Sequence, residues 1–263
     1  VAHGDQSEPV RRSHHQGVAT VTLARPRTRN ALSSEMLGAL DDALVAIEGD
    51  PSVRVVVLAG DGPAFCAGHD LRELDSSRSP EVQAALFARC AEVMMRIGAL
   101  RVPVIAKVHG VATAAGCQLV ASCDLAVAGA SARFATPGVD IGLFCSTPMV
   151  AVTRTVLAKH AMELLFTGEL VDADHAWRIG LVNRVVADDE LDAATAALAS
   201  VIASKPPAVV ALGKAVARRQ RDLPVEDAYA VAGQAMVDNL AMIEAAEGIR
   251  AFLDKRPPRW PEP

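Results

Sequence analysis

The stretch HGVATAAGCQLVASCDLAVA, residues 109–128, decides how this chain folds. It starts as a loop of small residues, turns into a helix near Ala115 or Gly116, and runs on into LAVAG, a short apolar run that reads as a strand. Upstream lies another short apolar run, PVIAKV at 103–108. Before it comes a long helical stretch from about Pro80 to Leu100, preceded by the Gly-rich loop DGPAFCAGHDL. VRVVVLAG at 53–60 is too continuously apolar for an exposed alternating strand and reads as a buried one. VATVTL from Val18 alternates like a half-buried strand, and the turn-like RPRTRN leads to a helix signal at Ser33 and Ser34. In that helix Met36, Leu40, Leu44 and Ile47 share a face, and Gly49 with Pro51 closes it. Strands and helices therefore alternate, and the class is α/β. After about Pro148 the pattern becomes nearly pure helix, with amphipathic segments near 148–166, 172–178, 189–203, 208–220 and 225–253. The first seventeen residues are polar and read as a loose arm.

Composition narrows the function classes. The 263 residues suffice for one large domain with an appendage, 51% of them are apolar, and the formal charge of -5 argues against a nucleic-acid partner. Aromatics are 3%, too few for stacking platforms, so the core must rest on Ala, Val, Leu and Ile. No run of 18 apolar residues is free of charge or of Gly and Pro, so no membrane partner is expected. The five cysteines make an odd number without a C-x-x-C pair, which signals neither a disulfide framework nor a zinc site and suits a reducing, cytoplasmic location. No metal is expected.

Two segments combine small residues with a strand-to-helix transition: AFCAGHDL at 64–71 and ATAAGCQL at 112–119. Each could present a bare backbone N–H, and two such donors converging on one point would hold a developing oxyanion. The structural alternative is that small residues simply allow close packing.

AFCAGHDL, HGVATAAGCQLVASCDLAVA and RFATPGVDIGL (133–143) resemble the three signature blocks of the enoyl-CoA hydratase/isomerase (crotonase) family. RPRTRNALS and FTGELVDADHAWRIGLVNRVV (166–186) also match, so the resemblance covers roughly residues 16–256. It implies a spiral of strand-strand-helix turns over 18–200 and a helical oligomerisation region over 201–263. A homotrimer or a hexamer built as a dimer of trimers is implied as well. The implied partner is an acyl thioester in which coenzyme A is part of the substrate, with no tightly bound cofactor. Its carbonyl oxygen would be held by the N–H groups of His69 and Ala115. Coenzyme A would lie beside Arg27, Ala31 and Ala67, with Phe252 and Lys255 covering the adenine, sometimes from a neighbouring subunit.

The departures bear on chemistry. The two glutamates with which hydratases of this family handle water correspond to Gln118 and Gly138. A carboxamide can orient water but cannot accept its proton near neutral pH, and glycine can do neither. Asp140 is a nearby carboxylate that reads as structural or surface. An oxyanion hole alone can assist decarboxylation of a malonyl-type thioester, since loss of carbon dioxide makes the carbanion without proton abstraction. The GHD string at 68–70 resembles the decarboxylases of the family, but their tyrosine corresponds to Cys145. Cys145 reads as a small buried thiol, and Asp124 as a structural carboxylate bonded to backbone. The expected function is acyl-CoA binding and processing in lipid metabolism under a hydratase label. The alternatives are a malonyl-type decarboxylase, a hydrolase, or a non-catalytic acyl-CoA binder.

Overall fold

The computed structural model describes residues 8–76 and 79–260. In chain order the elements begin with β1 (Val10–His15), β2 (Val18–Leu23), α1 (Ser34–Glu48), β3 (Val55–Gly60), β4 (Ala64–Cys66), α2 (Leu71–Ser76) and α3 (Pro80–Ala99). They continue with β5 (Val104–Val108), β6 (Val111–Thr113), α4 (Ala115–Ser122), β7 (Leu125–Gly129) and β8 (Arg133–Ala135). Then follow α5 (Ser146–Thr155), α6 (Ala158–Thr167), β9 (Val171–Asp172), α7 (Ala173–Arg178), β10 (Arg184–Val186) and α8 (Leu191–Ala203). The last are α9 (Pro207–Gln220), α10 (Val225–Leu240) and α11 (Ile243–Leu253).

Two sheets share the strands, in the orders β1-β2-β3-β5-β7-β10 and β4-β6-β8-β9. The pairs β3/β4, β5/β6 and β7/β8 each give one strand to each sheet before the chain passes into helix, which is the spiral of strand-strand-helix turns. All pairings are parallel except β1 with β2 and β8 with β9.

β3 is buried on both faces, as its unbroken apolar sequence requires. Val56 and Leu58 enter the main core, whereas Val57 and its neighbour Val55 join Ile105, Val127, Leu191, Ala199 and Ala203 on the other face. α8 therefore belongs to the spiral core, and a border at residue 200 would cut it. α1 starts where the serines place it, with the Ser33 hydroxyl accepting from the Met36 N–H at 3.2 Å.

Four expectations need correction. Residues 1–7 lie outside the described residues, but Val10–His15, within the stretch expected as a loose arm, forms β1 and pairs with β2 from Val10–Leu23 to His15–Val18. Gln16 and Gly17 turn the hairpin with φ of 49° and 80°, the left-handed pair of a tight two-residue loop. Only Val10 of β1 is buried, so no apolar alternation announced it. The region after Pro148 is not pure helix, because β9 and β10 are strands too short to show a period. The segment 148–166 is two helices that break at Val156–Leu157, and 225–253 breaks at Ala241–Met242.

Asn30, fully buried with φ 55°, ties the turn after β2 to β4. Its Nδ2 donates to the carbonyls of Asp61, Ala64 and Phe65 at 2.9, 2.8 and 3.2 Å, and its Oδ1 accepts from the Arg25 N–H at 2.9 Å. Asn30→Ala strands these backbone groups and puts a Cβ without a compensating bond in the left-handed region. It is expected to cost about 2–4 kcal/mol, read as a lower denaturant midpoint at unchanged slope.

Candidate functional site

The site is built where the loop after β4 meets the first turn of α4. Gly68 has φ 97°, and a Cβ there would lie 2.9 Å from the Ala114 Cβ and 3.4 Å from the Ala115 nitrogen. Glycine is needed on both counts. The loop is pinned from two sides: Ala67 N–H donates to Arg29 O at 3.0 Å, Thr113 Oγ1 to Ala67 O at 3.1 Å, and Leu32 N–H to Gly68 O at 2.7 Å. The carbonyls of Ala67 and Gly68 are thus occupied, and Gly68 itself packs on the start of α4.

α4 is entered through Ala114 at φ 51°, and its first intrahelical bond runs from Gln118 N–H to Ala114 O at 3.0 Å. The N–H groups of Ala115, Gly116 and Cys117 precede that bond and lack a partner within the helix. Gly116 sits on β4 so closely that a Cβ would come 2.0 Å from Cys66 O.

The His69 imidazole is anchored away from the backbone donor. Its Nδ1 lies 3.2 Å from Leu32 O and its ring stands edge-on to Phe87 at 5.2 Å. Desolvation lowers its pKa from the ordinary histidine value, so at neutral pH the ring is uncharged and Nδ1 carries the proton that Leu32 O accepts. Nε2 then faces inward as a lone pair without a protein partner, as does Oε1 of Gln118, which is 4% exposed.

Gly138 and Cys145 meet. A Cβ on Gly138 would lie 3.0 Å from both Cys145 Sγ and Leu143 O, so the sulfur occupies the space beside that backbone. Burial raises the Cys145 thiol and pushes Cys66, Cys90 and Cys117 up to about 12, while Cys123 is raised further. None of the five is a thiolate nucleophile at neutral pH. Asp140 is exposed, with Oδ2 against Gly168 instead of Cys145. Asp124 accepts from Val104 N–H at 2.8 Å and from Lys214 Nζ at 2.6 Å, a structural role.

Two cavities flank this point. One, of about 320 Å³, is lined by Arg27, Arg29, Ala31, Ala67, His69 and Arg72, so three residues expected beside coenzyme A are gathered next to His69. Arg29 and Arg72 are additions that exposed arginines in a sequence do not announce. The other, of about 400 Å³, has Gln118 in its wall with Ala91, Met94 and Met95 of α3. Phe252 is 84% exposed at the end of α11, and neither it nor Lys255 lines either cavity of its own chain. The chain end turns the other way, with Trp260 against Gly248 and donating from Nε1 to Ser204 O at 3.1 Å.

Two outcomes are expected. At pH 8 the folded protein should react with iodoacetamide at less than about a tenth of the rate of the unfolded chain, as counted by mass spectrometry. Gly138→Ala should cost about 1–3 kcal/mol by crowding Cys145, and less in a Cys145→Ala background; a double-mutant cycle on denaturant midpoints measures the coupling.

Comparison with known proteins accords with this geometry. The family model described as enoyl-CoA hydratase/isomerase matches residues 13–263. The mouse protein named enoyl-CoA hydratase domain-containing protein 3, mitochondrial, is 48% identical over 98% of this chain and 86% of its own length. A crystal structure of an enoyl-CoA hydratase from Mycobacterium smegmatis is 53% identical, with a TM-score of 0.95 over 97% of this chain and 99% of that one. That of human enoyl-CoA hydratase domain-containing protein 3 is 46% identical, with a TM-score of 0.93 over 96% and 100%. The cytoplasmic expectation is corrected by these relatives, since the mouse, rat, zebrafish and human proteins are all named as mitochondrial. An odd cysteine count in a protein of small residues marks reduced thiols and does not distinguish between reducing compartments. Spiral, glycine-packed loops and full-length similarity agree, and the chain belongs to the enoyl-CoA hydratase/isomerase family.

Proposed function

We propose that this protein binds an acyl thioester of coenzyme A and polarises its carbonyl with the backbone N–H groups of His69 and Ala115. The observation that supports this reading is the packing of Gly68, the residue before His69, on Ala114 and Ala115. Both peptide donors are fixed before substrate arrives, so no reorganisation opposes the growth of negative charge on the carbonyl oxygen, and the α4 N-terminus adds a favourable partial charge. Coenzyme A is part of the substrate. Arg27 with Arg29 and Arg72 forms a cationic wall for its phosphates, while Ala31 and Ala67 leave room for the thioester arm.

Hydration through two carboxylates is not the reaction this site favours. Gln118 can orient a water but cannot take its proton, and the space beside Gly138 holds a protonated thiol. Chemistry that needs enolate stabilisation without a protein base fits better, as does binding without turnover. Phe252 would cover the adenine from a second copy. The largely exposed apolar residues of α10 and α11, among them Val237, Leu240, Ile243 and Leu253, support a trimer or a dimer of trimers.

Isotope-edited infrared spectra of a bound thioester test the carbonyl assignment. The carbonyl stretch is expected to fall relative to free thioester, and an unshifted band sinks the oxyanion reading. Crotonyl-CoA is expected to bind with its enoyl group intact; product mass showing hydration at rates typical of enzymes would overturn the low-hydration reading.

A further inference from the structure

The 400 Å³ cavity has a chemical gradient that a plain fatty acyl chain does not explain. Its inner wall holds Gln118, one turn into α4 from Ala115, together with Ala91 and Met94 of α3. Its outer wall holds Arg154, Arg218 and Arg221 with one carboxylate, Asp222. Among the described residues none of these four charged groups makes an ion pair within 4.0 Å, so the lining keeps a net positive charge.

Two of the guanidiniums are held at the cavity. Arg154 Nη1 donates to Val150 O at 3.0 Å, which folds the side chain back along α5, and Thr147 and Val150 line the same cavity. Arg218 lies in a slot over α3 that exists because residue 98 has no side chain: a Cβ on Gly98 would fall 1.5 Å from Arg218 Nη1. Lys214, one turn before Arg218, is already committed to Asp124 and to the carbonyls of Ile97 and Val102, and this fixes α9 against the end of α3. Along α5, Thr147 stands two residues from Cys145 and Arg154 two turns further, about 10 Å along the helix axis. The carbonyl end and the cationic end are therefore separated by a short apolar span.

We propose that this cavity takes an acyl group ending in a carboxylate, so that the thioester substrates are the coenzyme A esters of dicarboxylic acids. Arg154 and Arg218 pair with the terminal carboxylate and act as specificity-determining residues. The apolar stretch formed by Ala91, Met94, Met95 and Val150 covers the methylenes between. Paired guanidiniums suit a carboxylate because their planar N–H groups match its two oxygens, and a methyl terminus would leave them without an anionic partner. This inference rests on the acyl-CoA reading above and adds the substrate class.

The test compares adipyl-CoA with hexanoyl-CoA, equal in chain length, by titration calorimetry on the full-length protein at low ionic strength. Adipyl-CoA is expected to bind about tenfold more tightly or better, as a charge-assisted hydrogen bond would give, and the preference should shrink with added salt. In Arg154→Gln/Arg218→Gln the ratio should fall close to one, and in Asp222→Asn it should rise. Equal or tighter binding of hexanoyl-CoA by the wild type overturns the proposal while leaving the acyl-CoA reading intact. Failure of both esters to bind overturns the two together. A double variant that loses both affinities in proportion would show the arginines to be structural and would also overturn it.

Discussion

The close approach of α4 to β4 is the constraint on which the site depends. Gly116 lies so near Cys66 O that no side chain could intervene, and Gly68 is packed as tightly on Ala114 and Ala115. Backbone meets backbone at this point, which is why the bordering residues are Ala67, Gly68, Ala114, Ala115 and Gly116. Buried small residues such as Ala115 and Cys66 also lower the local dielectric, which strengthens any hydrogen bond made there.

That floor is held by polar groups deeper in the structure. The Asn30 amide links the turn after β2 to the start of β4 and the loop before it, and Thr113 and Leu32 fix the carbonyls of the loop that ends at His69. The histidine ring follows from this arrangement. With Nδ1–H donating to Leu32 O, the ring is anchored as a neutral wall against Phe87, and charging it would require protonating Nε2 in a desolvated place.

The fold was legible where a period had length to show itself. α1, α3 and the buried strands β3, β5 and β7 lie where hydrophobic patterning puts them, because five or more residues with a consistent environment leave a trace. β1 was not legible: it is an edge strand with one buried residue, and its partner in β2 is specified by a Gln-Gly turn of weak signature. β9 and β10 are too short, and the breaks at Val156–Leu157 and Ala241–Met242 carry neither Gly nor Pro. The family blocks are what singled out His69, Ala115, Gln118, Gly138 and Cys145, whereas Asn30 was passed over because asparagine in a turn reads as turn chemistry. The contact between Gly138 and Cys145 was also hidden, since the six residues between them run through a short 3-10 turn and a loop that carry no period. Arg154 and Arg218 were invisible for a different reason: each is an ordinary helical arginine, and only the convergence of α5 and α9 on one cavity gives them a shared role.

The two missing carboxylates look different once the packing is known. If the family correspondence holds at position 118, an amide there preserves the shape and polarity of the acid, and its buried Oε1 is an acceptor without a partner among the described residues. At position 138 nothing comparable survives, because Cys145 Sγ and Leu143 O close the volume a side chain would need. A larger side chain at Gly138 therefore meets a steric obstacle before it meets a chemical one. The protonated Cys145 thiol at that place supplies no base, which disfavours any step that begins with proton abstraction by the protein. On the proposed reading, two backbone donors without a protein carboxylate favour a reaction that holds negative charge on oxygen and leaves proton traffic to the substrate or to solvent.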